Sequence, residues 1–129
     1  MANFLNKQII YRFYIPKVVN LVVKVTFKEF QKLDLRIGKI LNCKKIPGAK
    51  KLLKCTLDIG TETRETIAGM AEFFSPDELV GKTVVVLVNL EPKKLMGIES
   101  RGMILAADLA GKPFLLTVEG DVPSGTKVR

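Results

Sequence analysis

One strong helix start stands in a chain that otherwise reads as short strands, and this interruption limits the possible folds more than any other feature. Ser75-Pro76-Asp77-Glu78 offers a Ser N-cap, a Pro at the first helical position and a Glu three residues after the cap. That combination satisfies the orphan N–H groups of a first turn. Gly81 then lets the backbone leave the helix, so the helix is short. Upstream, Leu35 to Lys44 (LRIGKILNCK) alternates apolar and polar residues, the period of a half-buried strand. Pro47-Gly48, within Ile46 to Lys51, predicts a turn. Leu52 to Ile59 predicts a second strand, ended by Gly60-Thr61-Glu62-Thr63, and Arg64 to Ala71 a third. Downstream, Thr83 to Leu90 (TVVVLVNL) is apolar on both faces and is expected to be deeply buried. Gly102 to Ala107 predicts a fifth strand and Phe114 to Val118 a further β segment, before a turn at Val122-Pro123-Ser124-Gly125.

Three strands, one short helix and two strands is the element order of the OB-fold, a small barrel that binds oligonucleotides on one face and in its loops. The expected fold is therefore all-β: a five-stranded OB-fold barrel, one short helix between strands 3 and 4, and additional C-terminal β segments. Gly38 in mid-strand agrees, because barrels bend sharply at such positions. The barrel pattern occupies residues 27–129. Residues 1–26 carry Lys7, Arg12, Lys17 and Lys24 and no acid, and read as a basic extension, strand or arm, broken near Pro16.

Charge and missing residue types narrow the function. The 129 residues hold 21 Lys+Arg against 13 Asp+Glu, a net charge of +8, which favours an anionic partner. Half of that excess sits in residues 1–26. The absence of His excludes Ser-His-Asp and Cys-His catalysis and His-ligated metals. Two cysteines cannot build a zinc site that needs four. No cofactor or metal is expected, and an enzyme would need a lysine of depressed pKa in a buried pocket, of which the sequence gives no sign. Val18 to Val25 is broken by Asn20 and Lys24 and falls far short of the ~20 apolar residues of a membrane span. The chain reads as cytoplasmic, with Cys43 and Cys55 as reduced, mostly buried small hydrophobes.

The stretch from Asn89 to Ala107 (NLEPKKLMGIESRGMILAA) closely resembles the signature of the tRNA-binding domain family. That domain stands at the C-terminus of many methionyl-tRNA synthetases and in free-standing tRNA-binding proteins. Asp34 to Ile40 (DLRIGKI) resembles the family's first strand, Ala49 to Lys54 the start of its second, and Ile67 to Ala71 (IAGMA) its third. The likeness runs from about Phe27 to Arg129. Two departures stand out: many members have a His-Pro pair where this chain has Ile46-Pro47, and Lys50 replaces a frequent acid, making that loop more basic.

The resemblance implies a non-catalytic protein that binds structured tRNA through shape and phosphates and delivers it to a synthetase, with the methionyl enzyme's catalytic subunit as possible partner. It also implies a homodimer formed through a segment after the barrel, roughly Asp108 to Arg129, together with the first strand. Some relatives are associated with protein secretion, so a chaperone-like peptide-binding protein is the alternative.

Candidate contacts follow from the chemistry of phosphate recognition, which needs cations on flexible stems. Lys44, Lys45, Lys50, Lys51 and Lys54 cluster around one expected turn, and Lys93, Lys94 and Arg101 lie in the loop between strands 4 and 5. Read from spacing alone, these are more often a solvated rim than a site. The resemblance adds Asn89, Ser100 and Met103 on or beside the RNA-facing surface. Phe73 and Phe74 offer a stacking surface or, for one of them, a staple under the helix.

Overall fold

The computed structural model describes residues 23–129. The expected basic arm of residues 1–26 lies outside the described residues except for Val23 to Thr26, which are exposed and have no regular structure.

The first element, α1 (Phe27–Phe30), is one helical turn set by a capping box. Thr26 Oγ1 accepts from the Glu29 N–H at 3.1 Å and Glu29 Oε1 accepts from the Thr26 N–H. The chain then enters β1 (Leu35–Ile46), β2 (Ala49–Asp58) and β3 (Thr63–Ala68), a meander joined by tight turns. The predicted helix is α2 (Pro76–Leu79), with Ser75 as N-cap and Glu78 closing its capping box. β4 (Thr83–Leu87) follows and supplies Val84, Val85 and Val86 to the interior. The remaining strands are short: β5 (Lys93–Leu95), β6 (Ile98–Ser100), β7 (Met103–Ile104), β8 (Ala106–Leu109), β9 (Lys112–Leu115) and β10 (Lys127–Val128).

The main sheet runs β3-β2-β1-β4-β7, antiparallel at every pairing, with β10 also on β1. β1 gives different halves to its two main neighbours. Its first half, Leu35 to Lys39, pairs with β4, and its second half, from Lys39 to Ile46, pairs with β2. A register shift falls between Ile40 and Asn42. A Cβ at Gly38 would lie 3.0 Å from Val86 Cγ2 and 3.2 Å from the Asp58 carbonyl oxygen, so a larger residue there would crowd β2 and β4.

The two sheet edges meet through the segment leading into β7. The Arg101 N–H donates to the Glu65 carbonyl (2.9 Å), and Thr66 Oγ1 donates to the Gly102 carbonyl (2.9 Å). The inward residues Ile40, Leu53, Leu57, Ile59, Val84 and Val86 fill the interior, joined by Leu79 of α2. The molecule is thus all-β with a barrel-like antiparallel sheet and one short helix between the third and fourth strands, as the sequence pattern predicts. The extra C-terminal strands are present too, as the β8–β9 hairpin and β10.

Three details differ from the sequence reading. The third strand stops at Ala68, because Met70 turns inward and the Ala71 N–H bonds back to the Lys51 carbonyl. The fourth stops at Leu87, where the Val88 N–H crosses to the Asp34 carbonyl. The expected fifth strand is split. Met103–Ile104 joins the barrel, whereas Ala106–Leu109 leaves it to form a hairpin with β9.

Candidate nucleic-acid interface

Two turns of the barrel carry the candidate cations. At the first, Ile46 pairs with Ala49 around Pro47-Gly48, with Gly48 at φ +81°. Lys44 and Lys45 approach this turn on β1, and Lys50 and Lys51 leave it on β2. The second turn is a hairpin where the sequence reading has only a loop. β5 and β6 pair Lys93 with Ser100 and Lys94 with Glu99 around Met96-Gly97. Both central residues have positive φ, +51° and +76°, the type I′ geometry that suits the twist of a two-residue hairpin.

The two turns meet. A Cβ placed on Gly48 would lie 3.7 Å from the Met96 methyl carbon. Beside the contact opens a cleft of about 560 Å³ lined by Lys45, Ile46, Pro47, Gly48, Ala49, Lys50 and Ala71. Met96 is 57% exposed. It is a site candidate that sequence reasoning passes over, although a Met-Gly pair at the centre of a lysine-rich loop is visible.

The cations divide by what they touch. Lys54 reaches Glu65 (3.4 Å) and Lys51 lies 3.9 Å from Glu72. Lys44, Lys45, Lys50, Lys93, Lys94 and Arg101 are exposed and form no ion pair among the described residues. Unpaired, exposed ammonium groups on a rigid frame suit contacts to phosphate oxygens.

Of the three uncharged candidates, Asn89 and Met103 lie at the surface, Met103 being 43% exposed on β7, opposite Leu87. Ser100 is 8% exposed and turns inward. Its Oγ accepts the Ile67 N–H at 2.9 Å and lies 3.3 Å from Thr66 Oγ1, so the hydroxyl ties β6 to β3 and helps close the barrel. Asn89 also spends its amide internally. Its Oδ1 accepts the Asp34 N–H (2.8 Å) and its Nδ2 donates to the Lys32 carbonyl (2.6 Å), which fixes the approach to β1. Phe74 packs against the core with the Lys82 ammonium over its ring, while Phe73 is 42% exposed.

Two carboxylates, Asp34 and Glu62, hold arginines. Arg36 donates to both oxygens of Asp34 at 2.9 Å, and this pairing keeps the Asp34 carboxyl below its ordinary value. Arg64 holds the Glu62 carboxyl down in the same way and also donates to the Val88 carbonyl. Among the described residues, no three or more Cys, Asp or Glu stand close enough to hold a metal ion. No described helix is long and apolar enough to cross a membrane.

The frame and its lysine-bearing turns define a class: a small antiparallel barrel whose basic loops converge on one side. Comparison with known proteins gives the family. Residues 35–127 match the family described as "Putative tRNA binding domain", and the chain belongs to it. It is 53% identical over 105 residues to the methionine–tRNA ligase of Archaeoglobus fulgidus and 52% identical over 104 residues to that of Thermotoga maritima. Each alignment covers 81% of this chain and 16% of the relative, so the chain spans about one sixth of those ligases. Among solved structures it is similar to a MetRS-related protein from Pyrococcus horikoshii, with 38% identity and a TM-score of 0.79, covering 84% of this chain and all of the other. It is also similar to the chaperone CsaA of Bacillus anthracis, with 28% identity and a TM-score of 0.75, covering 83% and 100%.

Proposed function

We propose that this chain is a non-catalytic tRNA-binding module that holds tRNA by its phosphates and shape and raises its local concentration for a synthetase, the methionyl enzyme being the favoured partner. The observation that carries the reading is the convergence of the Pro47-Gly48 and Met96-Gly97 turns, with their exposed lysines, in a member of a tRNA-binding domain family. Lys44, Lys45, Lys50, Lys51, Lys93, Lys94 and Arg101 would meet phosphates, and Met103 and Met96 would supply apolar contact to ribose or bases. Asn89 and Ser100 would serve the site by fixing the strands beneath it. Lending affinity to a partner in this way is an effective-concentration effect and needs no chemistry. Such a protein would work in the cytoplasm.

A homodimer through Asp108 to Arg129 and the start of β1 belongs to the same proposal. Phe27, Phe30 and Leu33 are exposed beside Lys127, Val128 and Arg129, around a cleft of about 310 Å³. Exposed apolar groups gathered in one place mark an interface. The second reading, a chaperone-like peptide-binding protein, is favoured by the likeness to CsaA. The exposed lysines weigh against it, since a basic rim repels basic presequences.

Filter binding of total tRNA, single-stranded RNA, double-stranded RNA and DNA at several salt concentrations separates these readings. The proposal expects tRNA to bind tightest, with log affinity falling by roughly 0.7–0.9 per phosphate contact for each decade of salt. Salt-insensitive binding of apolar peptides without tRNA binding would favour the chaperone.

A further inference from the structure

The chain's two cysteines face each other. Cys43 on β1 and Cys55 on β2 are direct partners in the antiparallel ladder. They are 5% and 0% exposed, and both belong to the core cluster with Leu53, Leu57 and Met70. Their sulfurs lie 2.7 Å apart. Facing Cα atoms in such a ladder are ~4.5–5.5 Å apart, inside the ~4.4–6.8 Å window that a disulfide spans. With no other cysteine in the sequence, neither thiol has a competing partner within the chain.

We propose that Cys43 and Cys55 form a redox site, oxidised by a small-molecule disulfide to a cross-strand bond that clamps the hairpin bearing Lys44, Lys45, Lys50 and Lys51. One cysteine thiolate attacks a sulfur of the small disulfide and expels one small thiolate. The second cysteine thiolate then attacks the protein sulfur of the mixed disulfide and expels the other. Two protein thiols and one small disulfide become one protein disulfide and two small thiols.

Burial pushes both thiols up from their ordinary value, so the reactive thiolate is scarce while the barrel is closed. Exchange therefore waits for the hairpin to open, and it is slow. The same burial shields the product, so each redox state persists once made. The clamp sits next to the pair formed by Lys44 and Lys54, at the base of the turn that carries the proposed phosphate contacts. The cysteine geometry alone carries this site, which stands independently of tRNA binding.

The test is prolonged incubation of the full chain with oxidised glutathione below its melting temperature. Denaturing alkylation and intact-mass measurement follow. The expected product has lost two hydrogens, takes up no alkylating agent, and melts several degrees higher until dithiothreitol restores the parent value. Cys43→Ser and Cys55→Ser each remove the partner, and neither variant should gain this stabilisation. Two alkylatable thiols, a persistent glutathione adduct or a disulfide-linked dimer in the parent would overturn the proposal.

Discussion

Ser100 and Met96 sit on one hairpin and serve opposite needs. The Ser100 hydroxyl accepts a backbone N–H from β3 in a place that water barely reaches. Ser100→Ala would leave the Ile67 N–H without a partner, so the variant should lose about 1–3 kcal/mol of stability. A drop in the chemical-denaturation midpoint measures it, and an unchanged midpoint would show that the hydroxyl is dispensable. Met96 instead carries strain, since a left-handed backbone costs a residue with a Cβ roughly 1–2 kcal/mol. Met96→Asn suits the type I′ turn and should raise stability while weakening tRNA binding, because the exposed thioether goes. The same turn geometry recurs at Ala110-Gly111, where φ is +52° and +86°. Ala110→Asn should therefore stabilise without touching affinity, and an equal loss of tRNA binding in both variants would remove any special role for Met96.

Among the elements, the approach to β1 and the β3 start are pinned by ion pairs whose acid dependence has a definite sign. Asp34 and Glu62 sit below their ordinary values of 3.8 and 4.5 because Arg36 and Arg64 hydrogen-bond to them. Groups depressed on folding contribute stability that is complete above the unfolded value and is lost as pH falls through the folded one. Thermal melts should therefore be flat near neutrality and decline below about pH 4. Asp34→Asn should lower the melting temperature at pH 7 and make that acid decline shallower; an unaltered profile would mean the pair is thermodynamically silent. The elements themselves are unevenly legible in the sequence. Strands 1, 2 and 4 and the capping box at Ser75 carry periodic or capping signals within one segment, and the structure contains them. The β5–β6 hairpin escapes the pattern because three-residue strands show no period and Lys93 and Lys94 read as loop. The partners of Ser100 and Asn89 lie 33 and 55 residues away in the chain, contacts that no local pattern encodes. The site's lysines are readable as types and clusters, but their meeting at Gly48 and Met96 requires the barrel.

For the molecule as a whole, the barrel matters because it brings two cationic turns together at Gly48 and Met96. Dimerisation would double that surface, and sedimentation at micromolar concentration tests it: twice the 14.3 kDa chain mass is expected, and a single-chain mass would contradict it. On the proposed function, the lysine-bearing turns bind tRNA by phosphate neutralisation. Its most direct test is the salt dependence of tRNA affinity for the parent and for the Lys93→Ala/Lys94→Ala double variant. Phosphate neutralisation by these lysines predicts weaker binding of all tRNAs alike and a log–log salt slope reduced by up to about two. A folded double variant with the parent's affinity and slope would contradict it.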